Sequence, residues 1–107
     1  MIVDSKHDYT GIRMIGHAGL AENPADGQEL VCAAVSALTI NMANSVEHFT
    51  EDSFETEEEE ESGTFHFRFT SSMSSESQLL MNSLVLGLQD IEEEYGEPYI
   101  KIRFKEV

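Results

Sequence analysis

The chain has 107 residues, of which 40% are apolar, and a formal net charge of −15. This length supports one modest hydrophobic core, so we expect residues 1–107 to form a single domain. Six Lys and Arg stand against 21 Asp and Glu, and nucleic acid is therefore a poor ligand, because phosphate binding depends on clustered basic side chains. A basic protein or peptide suits this surface better, although the same charge also serves solubility alone.

Cysteine content and hydropathy bear on the cellular compartment. A single cysteine cannot form an internal disulfide, so nothing requires an oxidising environment. The first residues lack the basic and apolar pattern of a secretory signal. The longest nearly apolar segment, "LVCAAVSALTI", has eleven residues and is too short to span a bilayer. These features predict a cytoplasmic protein without a membrane partner.

The N-terminal part of the chain predicts a pair of strands followed by a loop. Residues 2–4 suit a short strand, and the alternating pattern from Thr10 to His17 predicts a second strand paired with it. The following segment, "HAGLAENPADG", contains Gly19, Pro24 and Gly27. Because such residues favour turns, this segment is predicted to be a loop.

A long helix is predicted after this loop. Asp26 and Glu29 have the spacing of a capping box, so the helix should begin near Gly27. It should extend to about His48, because apolar residues recur at helical spacing on one narrow stripe. These residues are Val31, Val35, Leu38, Met42, Val46 and Phe49.

A second hairpin is expected next. Aromatic and polar residues alternate in "TFHFRFT", residues 64–70, which predicts a half-buried strand. A turn at Ser62 and Gly63 makes residues 53–60 its hairpin partner. For Glu57 to Glu61 two interpretations stay open. An edge strand carrying glutamates would resist edge-to-edge association, whereas the low strand propensity of glutamate favours a solvated loop.

The C-terminal part predicts a second helix and a last strand. Ser75 and Gln78 form another capping box, and Gly96 followed by Pro98 marks the helix end. Residues 99–104 alternate as a strand. The order β-β-α-β-β-α-β predicts a two-layer α+β domain, with two helices packed on one face of a mostly antiparallel or mixed sheet. The apolar face of the second helix is predicted to comprise Leu80, Leu84, Leu88, Ile91 and Tyr95.

Cys32 is the residue with the most chemical potential. It lies about five residues inside the predicted helix, on the flank of the apolar stripe, with Glu29 and Ser36 on the same flank. The helix dipole favours a thiolate only weakly beyond the first turn. A histidine would activate the thiol more strongly, and His17 lies at a strand end before the loop that leads to the helix. The alternative is that Cys32 is a packing residue and His17 is incidental.

Other kinds of site have little support. The remaining histidines fall in a turn, near a helix end and in a strand, without paired ligand spacing for zinc. The acidic run lacks the spaced ligands and central glycine of a calcium loop. No glycine-rich phosphate loop or Gly-x-Ser-x-Gly elbow is present. We therefore expect neither a metal nor a cofactor.

Two segments together resemble a known family. "GHA" at 16–18 and "GQELVCAAVS" at 27–36 resemble the ribosomal-processing cysteine protease family, Prp, whose signature is Gly-His-Ala, a variable loop, then Gly-x-Asp-Ile/Val-Val-Cys-Ala-x-x-Ser. Residues 84–102 also resemble the family's second helix and final strand. The chain departs from the pattern at Glu29, where the family usually has aspartate, and in a longer loop before Cys32, which bears on substrate fit more than on chemistry. The matching positions are Gly16, His17, Ala18, Gly27, Val31, Cys32, Ala33 and Ser36.

The resemblance implies an activity and a substrate. Members are cysteine endopeptidases that remove an N-terminal extension from large-subunit ribosomal protein twenty-seven and so support ribosome assembly. By transfer, Cys32 is the nucleophile and His17 is its base and later acid. The resemblance also implies a homodimer.

Several further residues are expected to assist. Glu29, Ser36, Gly16 and Ala33 are expected to hold the loop, the helix start or the substrate backbone, and backbone N–H groups near the helix start are expected to stabilise an oxyanion. The loop from Gly19 to Gly27 is expected to close over the substrate.

Two alternatives compete with the protease. One is a non-enzymatic module that binds a ribosomal protein and merely retains the motif. The other is a structural domain in which Cys32 is buried and inert. Thiol labelling separates them, because a catalytic cysteine reacts well below its ordinary pKa.

Overall fold

The order of helices and strands confirms the predicted α+β fold. The structure, a computed structural model, describes residues 2–6, 8–14, 28–59, 64–95 and 102–106. The elements are β1 (Ile2–Lys6), β2 (Asp8–Met14), α1 (Gln28–Phe49), β3 (Phe54–Glu59), β4 (Thr64–Phe69), α2 (Ser75–Tyr95) and β5 (Arg103–Glu106).

The strands form one mixed sheet in the order β3-β4-β2-β1-β5. All neighbours are antiparallel except β1 and β5, which are parallel. Ile12 in the central strand pairs with Val3 on one side and Phe67 on the other. All three side chains are fully buried, because this face of the sheet carries the core shared with the two helices.

Part of the acidic run forms a strand. Glu57, Glu58 and Glu59 lie in β3 and pair with His66, Phe65 and Thr64 of β4. Within the described ranges β3 pairs with β4 alone, so it is an edge strand. Glu60 and Glu61, and the predicted turn at Ser62 and Gly63, lie outside the described residues.

The buried side of α1 differs from the predicted stripe at its C-terminal end and in its middle. Phe49 is 71% exposed and stacks edge-on against His48 at the last turn, so its assignment to the core is wrong. Thr39 and Ala43 join the core instead. Thr39 is tolerated there because its hydroxyl donates to the Val35 carbonyl at 2.8 Å, which satisfies the buried polar group.

The helix α2 begins with a different cap from the one expected. The Ser77 N–H donates to Ser74 Oγ, and the Gln78 N–H donates to the Ser74 carbonyl. Ser74 is therefore the N-cap, and the predicted Ser75–Gln78 capping box is wrong by one residue.

The buried side of α2 is also shifted. Met81 and Val85 are buried beside Leu84 and Leu88, while Tyr95 is 45% exposed. The predicted end at Gly96 and Pro98 lies outside the described residues.

The two helices pack closely because α2 has a glycine at the contact. A Cβ atom on Gly87 would lie 3.1 Å from Leu38 Cδ1. The absence of a side chain at this point lets α2 approach α1 across the sheet.

The apolar part of α1 is longer than the eleven-residue segment seen in the sequence. Leu30–Phe49, 20 residues, is long and apolar enough to cross a membrane by length and composition alone. A core helix meets the same criterion, and α1 buries Val31, Val35, Met42 and Val46 against the sheet and α2.

Candidate active site

Cys32 is the fifth residue of α1, close to the position that the sequence predicts. Its side chain is 4% exposed, similar to Val31 and Val35 on the core-facing side. The flank on which we expected Cys32 is therefore buried, and the apolar side of the helix is broader here than the predicted stripe.

Burial has an electrostatic consequence for the thiol. Desolvation disfavours the charged form, so burial raises the pKa of Cys32. Burial by itself therefore favours the neutral thiol over the thiolate. Nucleophilic attack therefore requires a base that removes the proton or a cation that stabilises the thiolate.

The residues around Cys32 on α1 differ in access. Ser36, one turn after Cys32 on the same side of the helix, is half-buried, and Ala33 is exposed. Glu29 lies in the first turn of α1. The thiol is therefore next to solvent-accessible helix surface, although its own contact with solvent is small.

The other predicted site residues are not all within the described part of the chain. Gly16, His17, Gly19 and Gly27 lie outside the described residues, as does the side chain of Glu29. The structure places β2 up to Met14 and resumes with α1 at Gln28. The pairing of His17 with Cys32 stays a prediction.

Metal ligands are not grouped in the part of the chain that the structure describes. Within those ranges, no group of three or more His, Cys, Asp or Glu side chains is placed to hold an ion.

One polar cluster, not predicted from the sequence, lies at the start of α2. Asp52, in the connection after α1, accepts hydrogen bonds from Ser74 and Ser77 at the start of α2. The signal was the serine-rich segment "SSMSSES", whose side chains favour helix starts. Asp52 itself carried no signal, because its partners are more than twenty residues away.

Comparison with known proteins identifies the family of this chain. The family model described as cysteine protease Prp matches residues 1–101. The chain belongs to the cysteine protease Prp family. It is a cysteine protease, as its relatives are named, and this favours the protease over the non-enzymatic module and the inert structural domain.

Members of the Prp family with similar sequence and structure are known. The ribosomal processing cysteine protease Prp of Staphylococcus aureus (strain Mu50 / ATCC 700699) is 31% identical over 103 residues, 96% of this chain and 93% of that protein. The Bacillus subtilis (strain 168) protein of the same name is 35% identical over 88 residues, covering 78% of this chain and 76% of the other.

A solved structure shows the same fold. The crystal structure of the essential ribosomal processing protease Prp from S. aureus, in complex with a covalently linked product peptide, superposes with a TM-score of 0.82. The two chains are 29% identical, and the match covers 97% of this chain and 96% of that one.

Proposed function

We propose that this Prp-family protease removes the N-terminal extension of large-subunit ribosomal protein twenty-seven. The observation that carries the proposal is the position of the single cysteine, Cys32, at the start of α1 within a chain that matches the family over residues 1–101. The names of the relatives, ribosomal processing cysteine protease, support a ribosomal protein as substrate.

The proposed chemistry follows from a buried thiol served by an imidazole. His17 takes the proton from Cys32 Sγ, and the thiolate attacks the scissile carbonyl carbon. The C–N bond breaks, the leaving amine takes the proton from the imidazolium, and a thioester joins the N-terminal product to Cys32. Water then attacks the thioester with His17 as base, which releases the carboxylate product and the thiol.

The start of α1 supplies a way to stabilise the oxyanion. The first four N–H groups of a helix have no partner within the helix, and Cys32 lies directly after them. Donors of this kind stabilise the negative charge of a tetrahedral intermediate. Glu29, Ser36, Gly16 and Ala33 support this region, and the loop from Gly19 to Gly27 closes over the substrate.

The charge of the protein suits the proposed substrate. A net charge of −15 attracts a basic ribosomal protein and accelerates its association. The Michaelis constant should therefore rise with added salt, and an unchanged constant would count against steering. Because the proposed substrate is a ribosomal protein, we propose that the protein acts in the cytoplasm.

We also propose that the protein acts as a homodimer. Leu79 and Leu86 are 70% and 61% exposed and lie two helical turns apart on one side of α2. A second copy would remove this apolar surface from water.

The nucleophile is tested by replacing it. Purified Cys32→Ala protein is incubated with the precursor of ribosomal protein twenty-seven, and the products are analysed by mass spectrometry. We expect the precursor to stay intact, with a loss in rate of about 10⁴-fold or more. Circular dichroism should show an unchanged fold. A variant that cleaves at the wild-type rate would exclude Cys32 as the nucleophile.

A further inference from the structure

A groove separates α1 from the edge strand β3, further along α1 than the thiol. It has a volume of about 370 Å³ and is lined by Ile40, Phe54 and Phe65 and by the polar residues Thr56, Glu47 and Glu58, among others. Ile40 is 48% exposed, and Phe54 and Phe65 are only partly buried. The groove therefore has an apolar floor that solvent reaches.

One wall of the groove is an open sheet edge. Among the described residues, β3 pairs with β4 only. An edge strand leaves alternate backbone N–H and C=O groups without partners in the sheet. An extended segment of another polypeptide can pair with these groups as an added strand, with its side chains alternating between the groove and the opposite face.

The rim of the groove is acidic. Glu47 on α1 and Glu58 on β3 are exposed and face the groove, and Glu57 lies on the opposite face of β3. In the described ranges no ion pair neutralises these three carboxylates, whereas the neighbouring Glu55 pairs with Arg68. Pairing β3 with β3 of another copy would place glutamates against glutamates, while a basic segment would be attracted.

The groove lies on the same side of α1 as the thiol. Ala43, which lines it, is eleven residues after Cys32, which is three turns and a rotation of about 20°. Ile40 is about 12 Å from Cys32 along the helix axis and Glu47 about 22 Å. An extended chain covers these distances in about four to seven residues.

We propose that the groove between α1 and β3 is an exosite that docks a basic, extended segment of the substrate about four to seven residues from the scissile bond. The segment adds to β3 as a strand, places an apolar side chain on Ile40 and Phe54, and directs Lys or Arg to Glu47 and Glu58. This inference rests on the proposed function for the identity of the substrate and extends it by assigning the residues that select a basic partner.

A second copy of the chain is the competing occupant. The opposite edge of the sheet, β5, carries Arg103 and Lys105 and would complement the acidic edge. Such an assembly would be head-to-tail and would not close on itself as a two-fold dimer does. We favour the substrate segment because the groove offers an apolar floor beside the free edge, on the side of α1 that carries Cys32.

Binding is measured in the Cys32→Ala background, so that docking is observed without cleavage. The groove variant is Glu47→Lys with Glu58→Lys. The control, Glu93→Lys with Glu94→Lys, makes the same change in net charge on exposed residues at the end of α2. That region lies at the opposite edge of the sheet, where the Glu92 carboxylate accepts a hydrogen bond from the Ile102 N–H beside β5.

The first ligand is the full-length precursor of ribosomal protein twenty-seven. In two further ligands, the Lys and Arg residues four to seven positions before or after the cleavage site are replaced by Ser. Fluorescence anisotropy at fixed ionic strength gives Kd for each protein variant with each ligand. We expect the groove variant to raise Kd for the full-length precursor about tenfold, and the control much less, because two close charge pairs are reversed only in the former. In the groove variant, the basic-to-Ser replacement that raises Kd for the parent protein should instead leave Kd lower than for the full-length precursor, because it removes a repulsion between like charges.

Hydrogen exchange supplies a second measurement. The precursor should protect β3 amides between Phe54 and Glu59 in the Cys32→Ala protein and not in the groove variant. Equal increases of Kd in both Lys variants would mean that only overall charge matters, and would overturn the exosite. Self-association through β3 would also overturn the exosite. It would appear in sedimentation as oligomers of the wild type that the groove variant does not form, with no change in the Kd of that variant for the precursor.

The failure of the proposed function gives a different pattern. A wild-type protein that binds the precursor through the groove, with β3 protected, but does not cut it would overturn the proposed cleavage and support the groove.

Discussion

Asp52 and Ser77 are joined by a hydrogen bond of 2.5 Å from the Ser77 hydroxyl to Asp52 Oδ2, across 25 residues of sequence. The same carboxylate oxygen accepts the Ser74 hydroxyl at 2.6 Å and the Ser74 N–H at 2.9 Å. One side chain in the connection after α1 thus caps the start of α2. The same connection leads into β3, which begins at Phe54.

The stability of the fold should therefore depend on the ionisation of Asp52. Hydrogen bonds from the Ser74 and Ser77 side chains, then from the Ser74 backbone, lower the pKa of Asp52. A lowered pKa in the folded state gives stability that is present above the ordinary aspartate pKa and is lost as pH falls through the folded pKa. Asp52→Asn should reduce Tm near neutral pH and flatten its dependence on acid pH.

Thermal unfolding from pH 7 to pH 3 measures this effect. Glu51→Gln is the control, because its exposed side chain is adjacent in sequence and changes the same charge. A wild-type and an Asp52→Asn curve that fall in parallel would contradict the assignment.

The core packing on β4 should determine whether the domain folds. Phe67 is fully buried and contacts the rings of Phe54 and Phe69 with centroid distances of 4.9 and 5.1 Å. Phe67→Ala should lower the free energy of unfolding by about 3–5 kcal/mol through lost burial and a cavity.

Phe49→Ala is a matched control, because Phe49 is 71% exposed and should lose less than about 0.5 kcal/mol. Urea unfolding of both variants measures the difference. Similar losses for the two would mean that the burial of Phe67 does not stabilise the fold.

Local periodicity predicted most of the fold, because each helix and strand buries one face. The alternation in "TFHFRFT" and the apolar spacing in α1 were sufficient to place those elements to within one or two residues. The details that failed depend on contacts distant in sequence. The cap of α2 is Ser74 and not Ser75, and Ser74 is also hydrogen-bonded to Asp52. Cys32 is buried, although it lies beside the predicted apolar stripe.

The site could be predicted less completely than the fold. A single Cys and a single His specify a dyad only when a signature joins them, and here the resemblance to the Prp motif supplied that link. Nothing in the sequence indicated the groove, because its walls come from α1, β3 and β4. A surface formed by three separate elements has no local pattern.

The proposed homodimer should depend on the exposed leucines of α2. Replacing Leu86 by Asp places a charge in the apolar patch, and we expect the dimer to dissociate at micromolar concentration, because a desolvated charge without a partner is costly. Sedimentation velocity measures the change. Leu86→Met keeps the apolar surface and should leave the dimer intact; a Leu86→Asp protein with the wild-type sedimentation coefficient would place any dimer contact elsewhere.

Alkylation of Cys32 should show whether an imidazole serves the thiol. Burial alone raises the pKa of Cys32, whereas an adjacent imidazolium stabilises the thiolate and lowers it. Wild-type protein should therefore react with iodoacetamide at a lower pH than His17→Ala, whose profile should shift upwards past that of an ordinary thiol. Because the chain has one cysteine, the labelling rate reports this sulfur only. His48→Ala, which removes an exposed histidine at the other end of α1, should label as the wild type does. Superimposable pH profiles for wild type and His17→Ala would show that the two side chains do not meet, and the proposed base would be lost.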